Sequence, residues 1–191
     1  RWVATFSFPV FAALIVHPDL FVRFFGPRAT SAAPLVAVLA AGNLFYTGTG
    51  PSGYVLSMTG RPGVNFANSV VGVGLYVALG FFLVPRYGAM GMAVGDALVT
   101  ASVNSARVVE AKILVGIQPF GRSFLKPVAA TAVAALFSIA WRRFAGETLP
   151  VLVGGLALAA IVYLIVLRAF GLDREERHVW ERIRSKAFKR R

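Results

Sequence analysis

Long runs without a charged residue constrain the fold of this chain more than any other feature. A helix crosses a bilayer with about 20 apolar residues, and five uncharged runs of 15 to 32 residues occur in a sequence of 191. The runs are Trp2–Val16, Ala29–Gly60, Pro62–Pro85, Pro127–Trp141 and Thr148–Leu167. A sixth segment, Tyr87–Ala111, is apolar apart from Asp96, Arg107 and Glu110. Together these segments predict a chain embedded in a membrane.

The turns between the runs predict how the helices are arranged. Gly and Pro, which break helices, cluster at 60–63, 85–88 and 116–119. Turns this short join antiparallel neighbours in helix bundles. We therefore expect an all-α fold, a polytopic membrane helix bundle with about six transmembrane helices. The number becomes five if the short first run, Trp2–Val16, lies at the membrane interface.

The charged residues lie mostly at the edges of the apolar runs. The sequence is 57% hydrophobic and 15% charged, yet its net charge is +12. This combination excludes a disordered polycation, and we expect no nucleic-acid partner. If the C-terminal tail is cytoplasmic, 15 of the 20 basic residues fall on the cytoplasmic side. The positive-inside rule then predicts that both ends of the chain are cytoplasmic.

The C-terminal tail, 171–191, forms a unit of its own. Apolar residues recur there at helical spacing with charges between them, at Val179, Trp180, Ile183, Ala187 and Phe188. This pattern is typical of an amphipathic helix that lies among headgroups. The eight Lys and Arg residues of the tail would then bind anionic lipid headgroups. The alternative is a solvated helical tail that only sets the topology.

Asp96 is the sharpest indication of function. A carboxylate inside a membrane span costs about 2.5–3.5 kcal/mol on insertion scales, so it normally faces protein or water. At 100° per residue, Asp96 shares one helix side with Thr100, Asn104, Arg107 and Glu110. This side predicts one wall of a hydrophilic cavity, in which Arg107 and Glu110 pair. The alternative places Asp96 near one membrane interface, and Arg107 and Glu110 at the other.

A second indication is the segment GTGPSG, whose candidates for a helix break are Gly48, Gly50, Pro51 and Gly53. It matches the dinucleotide-binding pattern G-x-G-x-x-G literally, but that pattern needs a preceding strand. Inside an apolar run it predicts a broken or bendable helix, as transporters use near the midplane. Tight helix packing through small residues explains the segment about as well.

Four uncharged polar residues complete the candidates for a substrate cavity: Asn43, Tyr46, Asn65 and Asn68. Interhelical hydrogen bonds are the alternative explanation for them. The chain has no Cys, and its two His residues lack the spacing of a metal site. We find no catalytic residues, metal ligands or cofactor motif, and we expect that the chain is not an enzyme.

Three stretches, in order, resemble a known family. FFGP at Phe24–Pro27, with AAPL at Ala32–Leu35, resembles the "F-G-p-x-y…a-a-p-x-L" loop of polysaccharide and oligosaccharide flippases. VLSMTGR at Val55–Arg61 resembles their "v-L-x-x-x-G-r" helix end, and VPRYGAMGMAV at Val84–Val94 resembles their "i-P-x-y-G-x-x-G-a-A-i" signature. The chain is thus similar to the C-terminal part of a member of the multidrug/oligosaccharidyl-lipid/polysaccharide exporter superfamily.

The resemblance implies two six-helix bundles around a central cavity in the cytoplasmic (inner) membrane. Residues 1–116 would be the last four helices of the second bundle, 117–170 two additional transmembrane helices, and 171–191 the cytoplasmic tail. The chain begins with Arg rather than Met, and we expect a fragment whose N-terminal bundle is missing. The implied function is alternating-access flipping of a polyprenyl-linked oligosaccharide for cell-surface polysaccharide synthesis, without a cofactor. The alternatives are a cation-coupled multidrug exporter, with Asp96 as coupling carboxylate, and a non-transporting membrane scaffold.

Overall fold

The structure is a computed structural model that describes residues 2–50, 52–116, 124–146 and 148–170. All regular secondary structure in these ranges is helical. The helices are α1 (Trp2–Val16), α2 (Pro18–Arg23), a 3-10 helix (Pro27–Ala32), α3 (Ala33–Thr49), α4 (Ser52–Met58), α5 (Pro62–Val115), α6 (Leu125–Ala145) and α7 (Leu149–Ala169). The predicted all-α class is confirmed for this part of the chain. The predicted tail helix, 171–191, lies outside the described residues.

Proline and glycine set the helix bounds. Proline occupies the first turn of α2, α3, α5 and α7. A backbone N–H in the first turn has no carbonyl partner within the helix, so the lack of an N–H in proline costs no hydrogen bond there. Glycine with positive φ caps the C-termini of α3, α5 and α6, at Gly50, Gly116 and Gly146. A side chain would be strained in this conformation. The turns that the sequence marks with Gly and Pro are therefore the points where the helices end.

Four helical segments in the described ranges are long and apolar enough to cross a membrane: Arg28–Met58, Pro62–Val115, Leu125–Ala145 and Leu149–Ala169. The buried core is made largely of alanine, while many large apolar side chains face outward. Small residues between helices and large apolar residues outside are the arrangement that lipid favours, whereas in water such a surface would aggregate. The fold is thus compatible with a membrane-embedded protein, and the count of about six crossings stays a prediction.

The 54-residue segment α5 is a helical hairpin. Its backbone leaves helical geometry at Gly88, with φ 56° and ψ −136°, values that an L side chain rarely adopts. The first arm (62–87) and the second arm (89–115) pack against each other along their length. Gly91 lies directly on the carbonyl of Leu83, and Gly72 lies on Val103. The sequence segments Pro62–Pro85 and Tyr87–Ala111 therefore fall largely in the two arms.

The other helices pack in a row beside this hairpin. α3 and α4 pack against α5, α1 packs against α3, and α6 lies against both α1 and α7. Trp141 of α6 covers Gly155 of α7 and donates a hydrogen bond from Nε1 to the Val151 carbonyl at 3.0 Å. Among the described helices, α1 thus joins the α6–α7 pair to the rest of the bundle.

Two contacts define the ends of this bundle. Gly42 of α3 lies against Ala97 of α5. At 1.5 Å per residue, Gly42 is about 13 Å along the helix from the start of α3, and Ala97 is about 13 Å along the second arm from Gly88. The start of α3 is therefore level with Gly88. At the same end, Arg142 Nη1 of α6 donates to the carbonyl of Val16 at 2.9 Å. We call this the Gly88 end, and the opposite one, with α4 and both termini of α5, the Arg61 end.

The tight contact at Gly91 makes a testable prediction. A Cβ at Gly91 would overlap the Leu83 backbone, whereas a Cβ at Gly74 on the outer face of the first arm would meet nothing within 4 Å. Gly91→Ala should destabilise the protein by about 1–3 kcal/mol, the usual cost of overpacking, while Gly74→Ala should be neutral or slightly stabilising. Unfolding by dodecyl sulfate in mixed micelles measures both. Equal stability of the two variants would contradict the packed hairpin.

Candidate functional site

Polar side chains meet at the Arg61 end, where α4 lies against both arms of α5. Three hydrogen bonds join six of them, and we call this group the polar cluster: Ser57, Asn65, Asn68, Ser69, Arg107 and Glu110. The first arm contributes three members because positions 65, 68 and 69 share one helix face. Arg107 and Glu110 share a face of the second arm for the same reason. The antiparallel hairpin brings the two faces together.

The hydrogen bonds run between elements rather than within them. Asn65 Nδ2 of the first arm donates to Ser57 Oγ of α4 at 3.0 Å. Arg107 Nη2 of the second arm donates to Ser69 Oγ at 3.0 Å. Asn68 Nδ2 donates to Glu110 Oε2. Each bond crosses a helix interface, so the cluster ties the three helices into one unit.

Gly53 of α4 lets this cluster form. A Cβ at Gly53 would lie 3.0 Å from Asn65 Oδ1 and 3.5 Å from both Arg107 Cδ and Nε. The first of these distances is tighter than an ordinary contact, so the amide of Asn65 and the guanidinium of Arg107 both rest on bare backbone. The sequence predicted a role for Gly53 in a helix break, and the structure places it in a helix contact.

Arg107 forms no ion pair with a carboxylate among the described residues. The expected pair with Glu110 is wrong within the described residues, because Glu110 accepts a hydrogen bond from Asn68 instead. Arg107 Nε and Asn65 Oδ1 are buried, and neither has a hydrogen-bond partner there. A cationic donor and a neutral acceptor are therefore left side by side. The Nη2 edge of the same guanidinium makes an exposed hydrogen bond to Ser69, and this edge is the part that an anion can reach.

The other cavity candidates lie outside the polar cluster. Asp96 is about 16 Å from Arg107 along the second arm; it is half-buried and makes no hydrogen bond or ion pair with any described residue. Asn104 is buried and donates to the Thr100 carbonyl at 2.8 Å. The remaining two are exposed on α3, where Asn43 donates to the Leu39 carbonyl at 2.9 Å and Tyr46 is half-exposed.

Two apolar cavities flank α1, and none of these cavity candidates lines them. One, of about 760 Å³, lies between α1, α3, the second arm of α5 and α6. The other, of about 770 Å³, lies between α1, α6 and α7. Their linings are almost entirely apolar, and Thr131 is one of the few polar residues that contribute to the first. The polar candidates and the large cavities therefore occupy different parts of the fold.

The helix break predicted from GTGPSG is present between α3 and α4. α3 ends at Thr49, Gly50 has φ 67°, and α4 begins at Ser52; Pro51 lies outside the described residues. Ser52 Oγ donates to the Thr49 carbonyl at 2.9 Å, a side-chain bond that replaces a helical one at the break. Gly48 lies inside α3, with its Cα facing the ring of Phe8.

A second polar group lies at the Gly88 end, where sequence gave no site. His17, between α1 and α2, is completely buried, and a hydrogen bond of 2.6 Å joins its Nε2 to Ser138 Oγ of α6. Its Nδ1 has no partner among the described residues. Arg142 Nη1 lies 3.1 Å from Asp19 Oδ1. These contacts fasten α6 to the junction of α1 and α2.

The residues missed from sequence had only weak signals. Ser57 was not named from sequence, whereas Asn65 was. The two flank the Gly60–Pro62 turn at nearly equal distances, so their contact follows once the turn is known to be tight. His17 and Ser138 are 121 positions apart, and no spacing rule pairs them. No group of His, Asp and Glu among the described residues is arranged to hold a metal ion.

Comparison with known proteins adds no relative: no protein-family model, curated protein or solved structure matches the chain. The resemblance to flippases therefore rests on the three sequence stretches alone.

The burial of His17 predicts a pH dependence of stability. Burial, followed by the nearby Arg142 guanidinium, lowers the pKa of His17 below its ordinary 6.5, although Asp19 acts in the opposite direction. The unfolded chain therefore binds a proton before the folded one does. Stability should be complete above pH 6.5 and should fall as the pH drops below it. The melting temperature in detergent between pH 8 and 5.5 measures this fall.

His17→Gln is the matched variant, because the amide keeps a hydrogen-bonding group near Ser138 but does not titrate. Its melting temperature should vary less with pH over this range than that of the parent protein. Identical pH profiles for the two proteins would contradict the assignment.

Proposed function

We propose that the chain is the C-terminal part of a flippase that moves a polyprenyl-linked oligosaccharide across the cytoplasmic membrane. In this proposal, transport proceeds by alternating access and serves cell-surface polysaccharide synthesis. The observation that carries the proposal is the environment of the Arg107 guanidinium. This guanidinium lies in a polar cluster between apolar helices, has no carboxylate partner among the described residues, and keeps a buried Nε without a hydrogen bond.

The chemistry of the substrate explains why such an arginine would be kept. A lipid-linked glycan carries a large anionic headgroup joined to hydroxyl-rich sugars. A guanidinium binds phosphate through paired N–H donors, and the attraction is stronger where water is excluded. The exposed hydroxyl of Ser69, which Arg107 Nη2 contacts, adds a hydrogen-bonding partner for a sugar hydroxyl. A guanidinium between apolar helices is costly when it has no ion-pair partner, and Arg107 has none among the described residues, which favours a functional role.

The geometry of the hairpin supports a cavity that is completed by further helices. The first arm of α5 is exposed along most of its length, and the polar cluster lies at the edge of this arm rather than in either apolar cavity. In the proposal, the missing N-terminal bundle packs opposite this arm and encloses the headgroup. The break between α3 and α4 provides a point at which the bundle bends during alternating access.

The proposal also fixes an orientation. At the Arg61 end lie Arg61, Lys112, Lys126 and Arg168, and by the charge count from sequence this end is cytoplasmic. Both ends of the chain are then cytoplasmic. The polar cluster then lies at the cytoplasmic end of the bundle.

Asp96 favours a second candidate, a cation-coupled exporter. It is a half-buried carboxylate on the second arm and has no hydrogen bond or ion pair with a described residue. A carboxylate of this kind in a membrane helix binds a proton or a sodium ion in coupled transporters. The two candidates differ in which charged residue transport requires.

The test replaces Arg107 in the protein as its own cells make it and measures cell-surface glycan together with lipid-linked glycan left inside. Arg107→Ala should lower export by more than about tenfold, since it removes a charged hydrogen-bonding partner of the substrate. Arg107→Lys should retain part of the export because it keeps the charge without the paired donors. Lys112→Ala, an exposed cation five positions along the same arm, is the control and should export normally.

Each outcome separates the candidates. Normal export by Arg107→Ala at normal protein level would contradict the flippase mechanism. Loss of gradient-driven drug efflux in Asp96→Asn, with normal efflux in Arg107→Ala, would establish the exporter instead.

A further inference from the structure

The loop after α2 carries two strongly exposed aromatic side chains. Phe24 is 82% exposed and Phe25 is 83% exposed, although both belong to a compact turn at the Gly88 end. Arg23 precedes them and Arg28 follows them, and both arginines are exposed. Large apolar rings that find no protein contact cost free energy in water, so this loop is built for another environment.

The same pairing of an arginine with an aromatic ring occurs twice more at this end. Tyr87, 63% exposed, follows Arg86 at the hairpin turn. Phe144, 87% exposed, follows Arg143 in the last turn of α6. The contact of Gly42 with Ala97 puts the hairpin turn level with the start of α3. Three separate chain segments at the Gly88 end therefore each present an exposed arginine and an exposed ring, and we call these residues the Arg–aromatic rim.

The part of the rim next to α2 is anchored by packing and ion pairs, and the rim as a whole is basic. Leu20 and Val22 of α2 are buried, and Asp19 is engaged by Arg142 at 3.1 Å and by Arg23 at 3.8 Å. Asp19 is the one carboxylate that the described part of this end holds. The exposed arginines of the rim are thus left with no further acidic side chain among the described residues.

We propose that the Arg–aromatic rim is a binding surface for anionic phospholipid headgroups. Aromatic rings prefer the interfacial layer of a bilayer, and each arginine near an anionic surface adds an attraction that corresponds to about fivefold in binding. The arginines of the rim complement a phosphate layer, and its four rings suit the interfacial layer of the bilayer. This surface is separate from the polar cluster, which lies at the Arg61 end.

The rim, as a headgroup-binding surface, sets the depth of Asp96 in the membrane. It fixes one membrane boundary at the level of Gly88, so Asp96 lies about 12 Å further in along the second arm, at 1.5 Å per residue. Asp96 then belongs to the hydrocarbon region rather than to the headgroup layer.

The absence of Cys from the sequence makes a local test simple. Phe24→Cys is labelled with a small fluorophore, and the purified protein is reconstituted in vesicles of phosphatidylcholine and phosphatidylglycerol. Lipids carrying a nitroxide either near the headgroup or near the chain end then quench the fluorophore. The label should be quenched more by the shallow nitroxide than by the deep one. A label at Ile161→Cys, exposed midway along α7, should show the reverse.

The charge preference is measured with the same label. Shallow-labelled phosphatidylglycerol should quench it several-fold more than shallow-labelled phosphatidylcholine does. Replacing both neighbouring arginines, Arg23→Gln with Arg28→Gln, should bring the two lipids to equal quenching. Arg61→Gln, at the opposite end, is the matched control and should leave the preference unchanged.

Two results would overturn the proposal. Quenching of the Phe24 position by neither nitroxide would place the loop in water. Equal quenching by the two lipids in the parent protein would show that the arginines do not select anionic headgroups. Unfolding titrations of the double variant and of the Arg61→Gln control show whether any loss of preference arises from misfolding.

Discussion

The close packing of the two arms of α5 is the contact on which the rest of the structure depends. Gly88 takes a backbone conformation open to glycine, and Gly91 lets the second arm return directly over the Leu83 carbonyl. Without this reversal, 54 residues would form a single helix about 80 Å long, far longer than a membrane is thick. The hairpin also provides the surface against which α3 and α4 pack, and through α3 it positions α1 and the α6–α7 pair.

The same reversal creates the polar cluster. Asn68 and Glu110 are 42 positions apart and meet because the arms are antiparallel about Gly88. Once the faces meet, the amide groups of Asn65 and Asn68 donate to Ser57 and Glu110, while Arg107 has no ion pair with a described carboxylate. A group that costs so much in an apolar setting is the part of the fold that most needs a functional explanation, and an anionic headgroup gives one. The opposite end has a different chemistry, with arginines and aromatic rings arranged for a lipid surface.

The sequence predicted where most helices lie, but it did not predict which side chains of different helices contact each other. The Gly and Pro clusters at 60–63 and 85–88 mark observed helix ends and the hairpin turn, because these residues act on the local backbone. The face shared by Asn65 and Asn68 followed from helical spacing alone. By contrast, the pairing of Arg107 with Ser69 rather than Glu110, and the burial of His17 against Ser138, depend on which helices touch. Helical periodicity describes one helix at a time, so it grouped Asp96 with Arg107 although about 16 Å of helix separates them.

The reversal at Gly88 can be measured directly as a distance. Nitroxide labels at Phe66→Cys and Ile113→Cys, both exposed near the Arg61 end, report it by double electron–electron resonance in lipid nanodiscs. Packed helices lie about 8–10 Å apart, so with the length of the labels the hairpin predicts a distance below about 30 Å. A continuous helix would place the two positions about 70 Å apart. A distribution centred near the longer distance would contradict the hairpin and, with it, the polar cluster.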